Sequence, residues 1–398
     1  MQTSNWTRRK FVIGAAATPF AMHTAARALS SKAGPRWVLL GTDTGKGIYR
    51  ASWNATTGEL GPIELAVESE RPNFFVLHPH LPVLYTVNES TTPIGGVSSF
   101  HLDAAKGTLT PINRVDSHGS GPCALGIDDS GDALFVADYG GGAFAAYHLK
   151  ANGAIGSVGG TLACQAADAA ACGPLGPVKD RQNAPHLHCA VVSPDNSHVL
   201  VCDLGDDAIE IFPLHHSGAA ITGTPQRIAA RPGSGPRHIV FHPTGKWFYV
   251  AHELDCTLDI YDWKVTGGKA TATLRPGSSI FTLRPGTGLA GNSGCEIQVS
   301  SDGRFVYACS RGVDEITVYA VRQEGALTEI QRVTSGGKIP RYFALDPTEE
   351  WLGCTNQGAA DTGVGATLTI YKRDRTSGKL TETPRIVQAP TPMFVLWV

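Results

Sequence analysis

The chain has little net charge, no closely spaced cysteine pair and no long apolar run beyond its first thirty residues. Each shortage removes a class of function. Of 398 residues, 33 are Lys or Arg and 35 are Asp or Glu, giving a formal charge of −2 and a charged fraction of 17%, below the roughly 25% of an average globular protein. A surface of that kind offers no basic field for a phosphate backbone, so nucleic acid is not an expected partner. The nine cysteines include no CxxC, which leaves a zinc ribbon without support. No stretch of the expected mature chain approaches the roughly 20 apolar residues that span a bilayer. Gly140-Gly141-Gly142 has no helical pattern after it and reads as a hairpin turn, not a nucleotide loop. Glycine, by contrast, is abundant, with 46 residues alongside 25 prolines and a hydrophobic fraction of 42%. Many turns around a real core follow, in two or three domains or in one large repeat architecture.

The first residues read as an address. Thr7-Arg8-Arg9-Lys10-Phe11-Val12 precedes a moderately apolar run over 13–22, and Ala26-Arg27-Ala28 supplies the small-x-small pattern of a cleavage site. The pattern resembles a twin-arginine export signal. It implies removal of residues 1–28, a short linker over 29–36, and a mature protein of charge −6 in the periplasm or outside the cell. Cys164 and Cys172 share an Ala/Gly-rich stretch, which leaves open a disulfide across a short loop or two free thiols. The other seven cysteines sit in apolar, strand-like runs where Cys serves as a small buried hydrophobe.

Seven repeats are legible. One unit is an alternating strand with an aromatic near its end, followed by a turn glycine, as in Leu258-Asp259-Ile260-Tyr261-Asp262-Trp263 with Gly267. Its glycines, Gly58, Gly107, Gly153, Gly218, Gly267, Gly325 and Gly378, are separated by 49, 46, 65, 49, 58 and 53 residues. A second unit precedes it, two apolar strands joined by a Pro/Asp/Gly turn, as in Ile239-Val240-Phe241-His242-Pro243-Thr244-Gly245 leading to Trp247-Phe248-Tyr249-Val250. Six copies of the combined pattern are complete. The seventh is split between Trp37-Val38-Leu39-Leu40-Gly41 at the start and Met393-Phe394-Val395-Leu396-Trp397-Val398 at the end. Period-2 alternation at a spacing near 50 residues predicts an all-β, seven-bladed β-propeller over 37–398 with four-stranded blades. The last strand completes the first blade and closes the ring.

Gly235-Pro236-Arg237-His238, Pro185-His186-Leu187-His188, Glu253-Leu254, Asp203-Leu204-Gly205, Tyr139-Gly140-Gly141-Gly142 and Ser310-Arg311-Gly312 stand in a fixed order along the chain. With them the chain resembles the seven-bladed lactonase family, which contains the propeller-type 6-phosphogluconolactonases and the carboxy-cis,cis-muconate cyclising enzymes. The departures are His252 and Asp138 where Asn is usual, and Cys309-Ser310-Arg311 where Ser-Asn-Arg is common. The resemblance implies a lactone-opening activity without a metal or other cofactor. It implies His188, Arg237, Glu253 and Arg311 as the active-site constellation.

The repeats place these residues independently of the family. Aligned on their turns, the inner strands put Asn73, Cys123, His188, Arg237, Cys295 and Arg341 at one equivalent position, at the mouth of the central channel. Glu253 and Arg311 end neighbouring strands and join the cluster if those ends open on the same side. Arginines suit a carboxylate, a phosphate or the oxyanion of an attacked lactone. His188 or Glu253 would activate water. His186, two residues from His188 on the same strand face, is the alternative histidine, and His186, His238, Glu296, Arg341 and Asn73 are the expected substrate-binding residues. Arg237 paired with Glu253 in a structural ion pair is the competing reading, as are Asp203 and Asp138 as turn-bonding residues. His78, His80 and His242 read as surface or inter-blade residues. The partner is a small lactone or anion. A muconate-type cycloisomerase and a non-catalytic binding propeller are the alternatives.

Overall fold

In the computed structural model the described residues are 36–90, 94–163, 173–215, 220–359 and 362–398. The expected leader, the Cys164 and Cys172 pair and Gly218 lie outside them. Each repeat folds as one antiparallel sheet. In the fifth, Pro236–Phe241, Trp247–His252, Thr257–Thr266 and Lys269–Leu274 pair in that order. The β-branched and aromatic residues favour strand, and the intervening turn closes where Gly245, at φ 67°, donates its N–H to the His242 carbonyl at 2.8 Å. Seven such sheets form the ring. Two depart from four strands: Glu59–Leu60 and Glu64–Glu68 share the outer edge of the first blade, and Ile280–Phe281 adds to the fifth. Among the described residues there is no α-helix, and none long and apolar enough to cross a membrane.

Burial explains the pattern read from the sequence. Second strands such as His198–Asp203 and Trp351–Asn356 are buried at every position, because a blade is covered on both faces by its neighbours. The outer strand Lys269–Leu274 alternates between buried and exposed residues. The molecule has seven apolar cores, not one, and each is shared by two adjacent blades. Ile239 and Phe248, for example, pack against Leu200 and Cys202 of the preceding blade, while Tyr249 and Leu258 face Ile297 and Val306 of the next. The seven described cysteines are all free and buried.

The repeated turn glycines also belong to these contacts. Gly325 and Gly378 have φ of 84° and 75°, and a Cβ on either would meet the ring of Trp247 or Phe305 in the preceding blade within 2.4 Å. Their carbonyls accept hydrogen bonds from Tyr249 Oη and Tyr307 Oη at 2.8 and 2.7 Å. The histidines of the other turns are structural. His242 Nε2 lies 3.1 Å from the Gly303 carbonyl of the next blade, and His78 Nδ1 accepts from the N–H groups of His80 and Leu81.

The ring closes as the split repeat predicts. Pro392–Trp397 is the inner strand of the first blade and pairs with Trp37–Thr42, with Val38 opposite Trp397 and Leu40 opposite Val395.

Candidate active site

In six of the seven blades the inner strand begins with a β-bulge. The surplus residue is Met393, Cys123, His188, Arg237 or Arg341 in five of them, and the sixth inserts Cys295 and Glu296 together opposite Cys309. A bulge re-aims its side chain. This is the structural reason for the column of equivalent positions. Five blades send a bulged residue or its neighbour into one pocket, where Cys123, His188, Arg237, His238 and Arg341 meet Asn73. Phe74, Tyr342, Met393 and Phe394 form the apolar side, with the Tyr342 and Phe394 rings stacked at 3.8 Å.

Glu253 organises the charge beside this pocket. Its Oε2 is 3.0 Å from Arg237 Nε and 2.7 Å from Arg311 Nη2, while Oε1 pairs with Arg181 Nη2. Burial alone would push its carboxyl up, but the charges of Arg311, Arg237 and Arg181 outweigh burial and hold it below the usual carboxylate range. The strand ends therefore do open on one side, and Glu253 is ionised. The paired reading of Arg237 is also the observed one. A carboxylate this strongly stabilised is a poor proton acceptor, so Glu253 serves as an anchor for three guanidiniums and not as a base. Arg237 Nη1 and Arg311 Nη2 are fixed further by the Cys295 and Gly294 carbonyls at 2.7 and 3.1 Å. Arg341 differs. Among the described residues its guanidinium has neither an ion pair nor a side-chain hydrogen bond, which leaves its charge available to a ligand.

The histidines divide into three roles. His188 is buried, and burial together with Arg237, His238 and Arg341 holds its pKa well below the ordinary histidine value, so it is neutral at pH 7. His238 meets it edge to face, ring centroids 5.0 Å apart, and places Nδ1 2.8 Å from Glu296 Oε2. His186 is not among the pocket residues. Its ring stacks on Tyr139 at 4.3 Å, Nδ1 lies 2.8 Å from the Tyr139 carbonyl, and its N–H donates to Asp203 Oδ1. The bulge at His188 breaks the alternation that would have given the two histidines one face. Asn73 lines the pocket and donates Nδ2 to Glu89 Oε2. Among the described residues no group of three or more His, Cys, Asp or Glu side chains is arranged to hold a metal ion.

Residues 37–397 match the family model described as lactonase, seven-bladed β-propeller. The chain belongs to that lactonase family. It is 31% identical over 351 residues to the 6-phosphogluconolactonase of Bacillus subtilis (strain 168), covering 88% of this chain and 94% of that one. It is 28% identical over 354 residues to the 6-phosphogluconolactonase of Formosa agariphila, covering 86% of this chain and 92% of the relative. A solved structure from Lactobacillus plantarum superposes with a TM-score of 0.79 at 28% identity, over 92% of this chain and 99% of that chain.

In this lactonase-family propeller the three sequence departures lie outside the pocket lining. Asp138 is wholly buried and accepts from Ser117 Oγ at 2.6 Å, and burial pushes its carboxyl up to about 8. It is therefore neutral at pH 7, as an Asn would be. It bonds a hydroxyl and not turn backbone, unlike Asp203, which accepts from the N–H groups of His186, Gly205 and Asp206. His252 Nε2 lies 3.0 Å from Asp259 Oδ2, both fully buried. Burial would raise the Asp259 pKa, but His252, Ser279 and Arg231 draw it down to about 2. Ser310 Oγ pairs with Thr282 Oγ1 at 3.0 Å. Arg181, Met393 and the aromatic residues Phe74, Tyr342 and Phe394 had escaped the sequence reading. Arg181 lies in the connection between the third and fourth blades, outside the repeat, and carries no sequence signal. Met393 could have been found by extending the column to the lone last strand.

Proposed function

We propose that the protein hydrolyses a sugar-acid lactone to the hydroxy acid, in the manner of the 6-phosphogluconolactonases it resembles, without a metal. Arg341 carries this reading, an unpaired guanidinium facing a pocket that also presents His188 and Arg237. A guanidinium with no protein partner is suited to the negative charge that develops on an attacked carbonyl oxygen. The neutral His188 ring adds a hydrogen-bonding group that does not compete for that charge. Glu253 keeps Arg237 and Arg311 in place, and the aromatic wall of Phe74, Tyr342 and Phe394 supplies an apolar surface for the ring of the substrate.

The count of uncommitted guanidiniums favours an unphosphorylated aldonolactone. Arg237 is engaged with Glu253, so among the described residues one guanidinium of the pocket, Arg341, is free of any carboxylate, enough to contact one oxyanion but not a phosphate dianion as well. For the same reason a muconate-type diacid, which needs two carboxylate-binding cations, is the weaker reading. Export through the N-terminal leader accords with a substrate met outside the cytoplasm. The test is a pH-stat assay of the mature protein on gluconolactone and 6-phosphogluconolactone, with spontaneous hydrolysis subtracted. The expected result is turnover of gluconolactone exceeding that of the phosphorylated lactone, and no rate on either would sink the proposal. Expression with the native leader should yield a periplasmic chain beginning near residue 29, and Arg8→Lys with Arg9→Lys should keep it in the cytoplasm.

A further inference from the structure

Hydrolysis needs a group that takes a proton from water, and the two residues first suggested for it are poorly suited. Glu253 is committed to three guanidiniums. His188 has no ion pair among the described residues and sits among positive charges. We infer that His238 is the proton acceptor for the attacking water and that Glu296 is its positioning residue, an inference that rests on the lactonase reading. Four observations carry it. His238 lines the pocket, brought there by the bulge at Arg237. Its Nδ1 lies 2.8 Å from Glu296 Oε2. Its Nε2 is buried and has no hydrogen-bond partner among the described residues. Glu296 is itself held in place, because it shares the double bulge of the sixth blade and its Oε1 accepts from the Ile297 N–H at 3.0 Å. The Nδ1 contact is an ion-pair proximity and not an aligned hydrogen bond, and a carboxylate beside that nitrogen favours the tautomer that leaves Nε2 free to accept a proton.

The steps balance. Nε2 takes a proton from water as the water oxygen bonds to the lactone carbonyl carbon, and the carbonyl oxygen becomes an oxyanion beside Arg341. Collapse re-forms the carbonyl and breaks the bond between that carbon and the ring oxygen. The proton on Nε2 passes to the departing ring oxygen, leaving a hydroxyl group and a carboxylic acid, and the acid then ionises to solvent. Glu296 stabilises the imidazolium formed between the two transfers. The titratable and charged groups that face His238 are Glu296, His188, Arg237 and Arg341.

Gluconolactone turnover by the wild-type protein comes first, because an inactive wild type would sink the lactonase reading before any variant is compared. With activity established, His238→Gln should lower kcat at least about a hundredfold with KM within about threefold, and added imidazole should restore part of the rate in His238→Ala. Glu296→Gln should lower kcat about tenfold with KM within about threefold, because the carboxylate that stabilises the transient imidazolium is gone, and Glu296→Asp should restore part of the rate. A folded His238→Gln protein with kcat within threefold of wild type would overturn the inference. So would a folded Glu296→Gln protein with kcat within threefold of wild type, and this near-isosteric variant decides the matter if the His238 substitutions do not fold.

Discussion

Asp138→Asn should stabilise the protein by an amount that depends on pH, and the size follows from its environment. Asp138 is fully buried, one carboxylate oxygen accepts from Ser117 and the other has no hydrogen-bond partner among the described residues. Its folded-state pKa of about 8 stands against an ordinary value of 3.8. The unfolded chain therefore releases this proton near pH 4, while the folded protein keeps it to near pH 8. A raised carboxyl pKa leaves stability complete below about pH 4 and removes it progressively as pH rises toward 8, at about 1.36 kcal/mol per unit. At pH 7 the loss is about 4 kcal/mol, and Asn, which cannot ionise, escapes it. For a domain of this size that corresponds to roughly 5 °C in Tm. Thermal melts of wild type and Asp138→Asn at half-unit steps from pH 4 to 9 would show two curves that coincide at the acid end and separate until about pH 8. The other raised carboxyls, Asp203 and Glu210 near 7 together with Asp206 and Asp346, act in both proteins and cancel in the difference. Parallel curves would refute the reasoning, since they would mean that Asp138 ionises in the folded protein as it does in the unfolded chain.

Arg341→Ala should reduce kcat/KM on gluconolactone about a hundredfold, the loss expected for one oxyanion-stabilising group, while the melting temperature stays within about 2 °C because among the described residues no group loses a side-chain partner. Equal loss of stability would show that Arg341 is structural. Glu253→Gln should destabilise by about 3–5 kcal/mol in denaturant unfolding, because three guanidiniums lose their common counter-charge, with Arg237 buried and Arg311 partly so. An unchanged midpoint would remove the carboxylate from its central role. Gly378→Ala, whose new methyl meets Phe305 as well as a positive φ, should cost about 2–4 kcal/mol, against about 1 kcal/mol for Gly267→Ala, where nothing lies within 4 Å. Equal costs in urea melts would mean that the inter-blade contact contributes nothing.

The propeller was legible because its blades repeat the same solution to the same burial problem. The glycine spacing, the turn after each inner strand and the split seventh copy are all local signals with long-range meaning. The column through His188, Arg237 and Arg341 was legible for the same reason, although its cause, a bulge recurring at the same point, was not, since a bulge leaves no mark on composition. What the repeats could not convey was how neighbouring charges pair. Arg237 as ligand or as ion-pair partner depends on a distance of about 3 Å to Glu253, and Arg181 enters from a connection that no repeat predicts. His186 and His188 looked equivalent under strict alternation, and one surplus residue separates them.

The first blade takes its inner strand from the other end of the chain, with Arg36 and Trp37 donating their N–H groups to the Val398 carbonyl at 2.8 and 2.9 Å. Synthesis runs from Trp37 toward Val398, so the strand that seals the ring is made after every other strand of the propeller. Until then the first blade lacks its inner strand, the cores it shares with the second and seventh blades lack Phe394 and Val395, and Met393 is missing from the pocket wall. A chain that stops a few residues short has no local substitute for them. Ring closure thus makes arrival of this one strand a condition of both stability and the formed site, so that a copy lacking it presents an open sheet edge instead of a weakened enzyme.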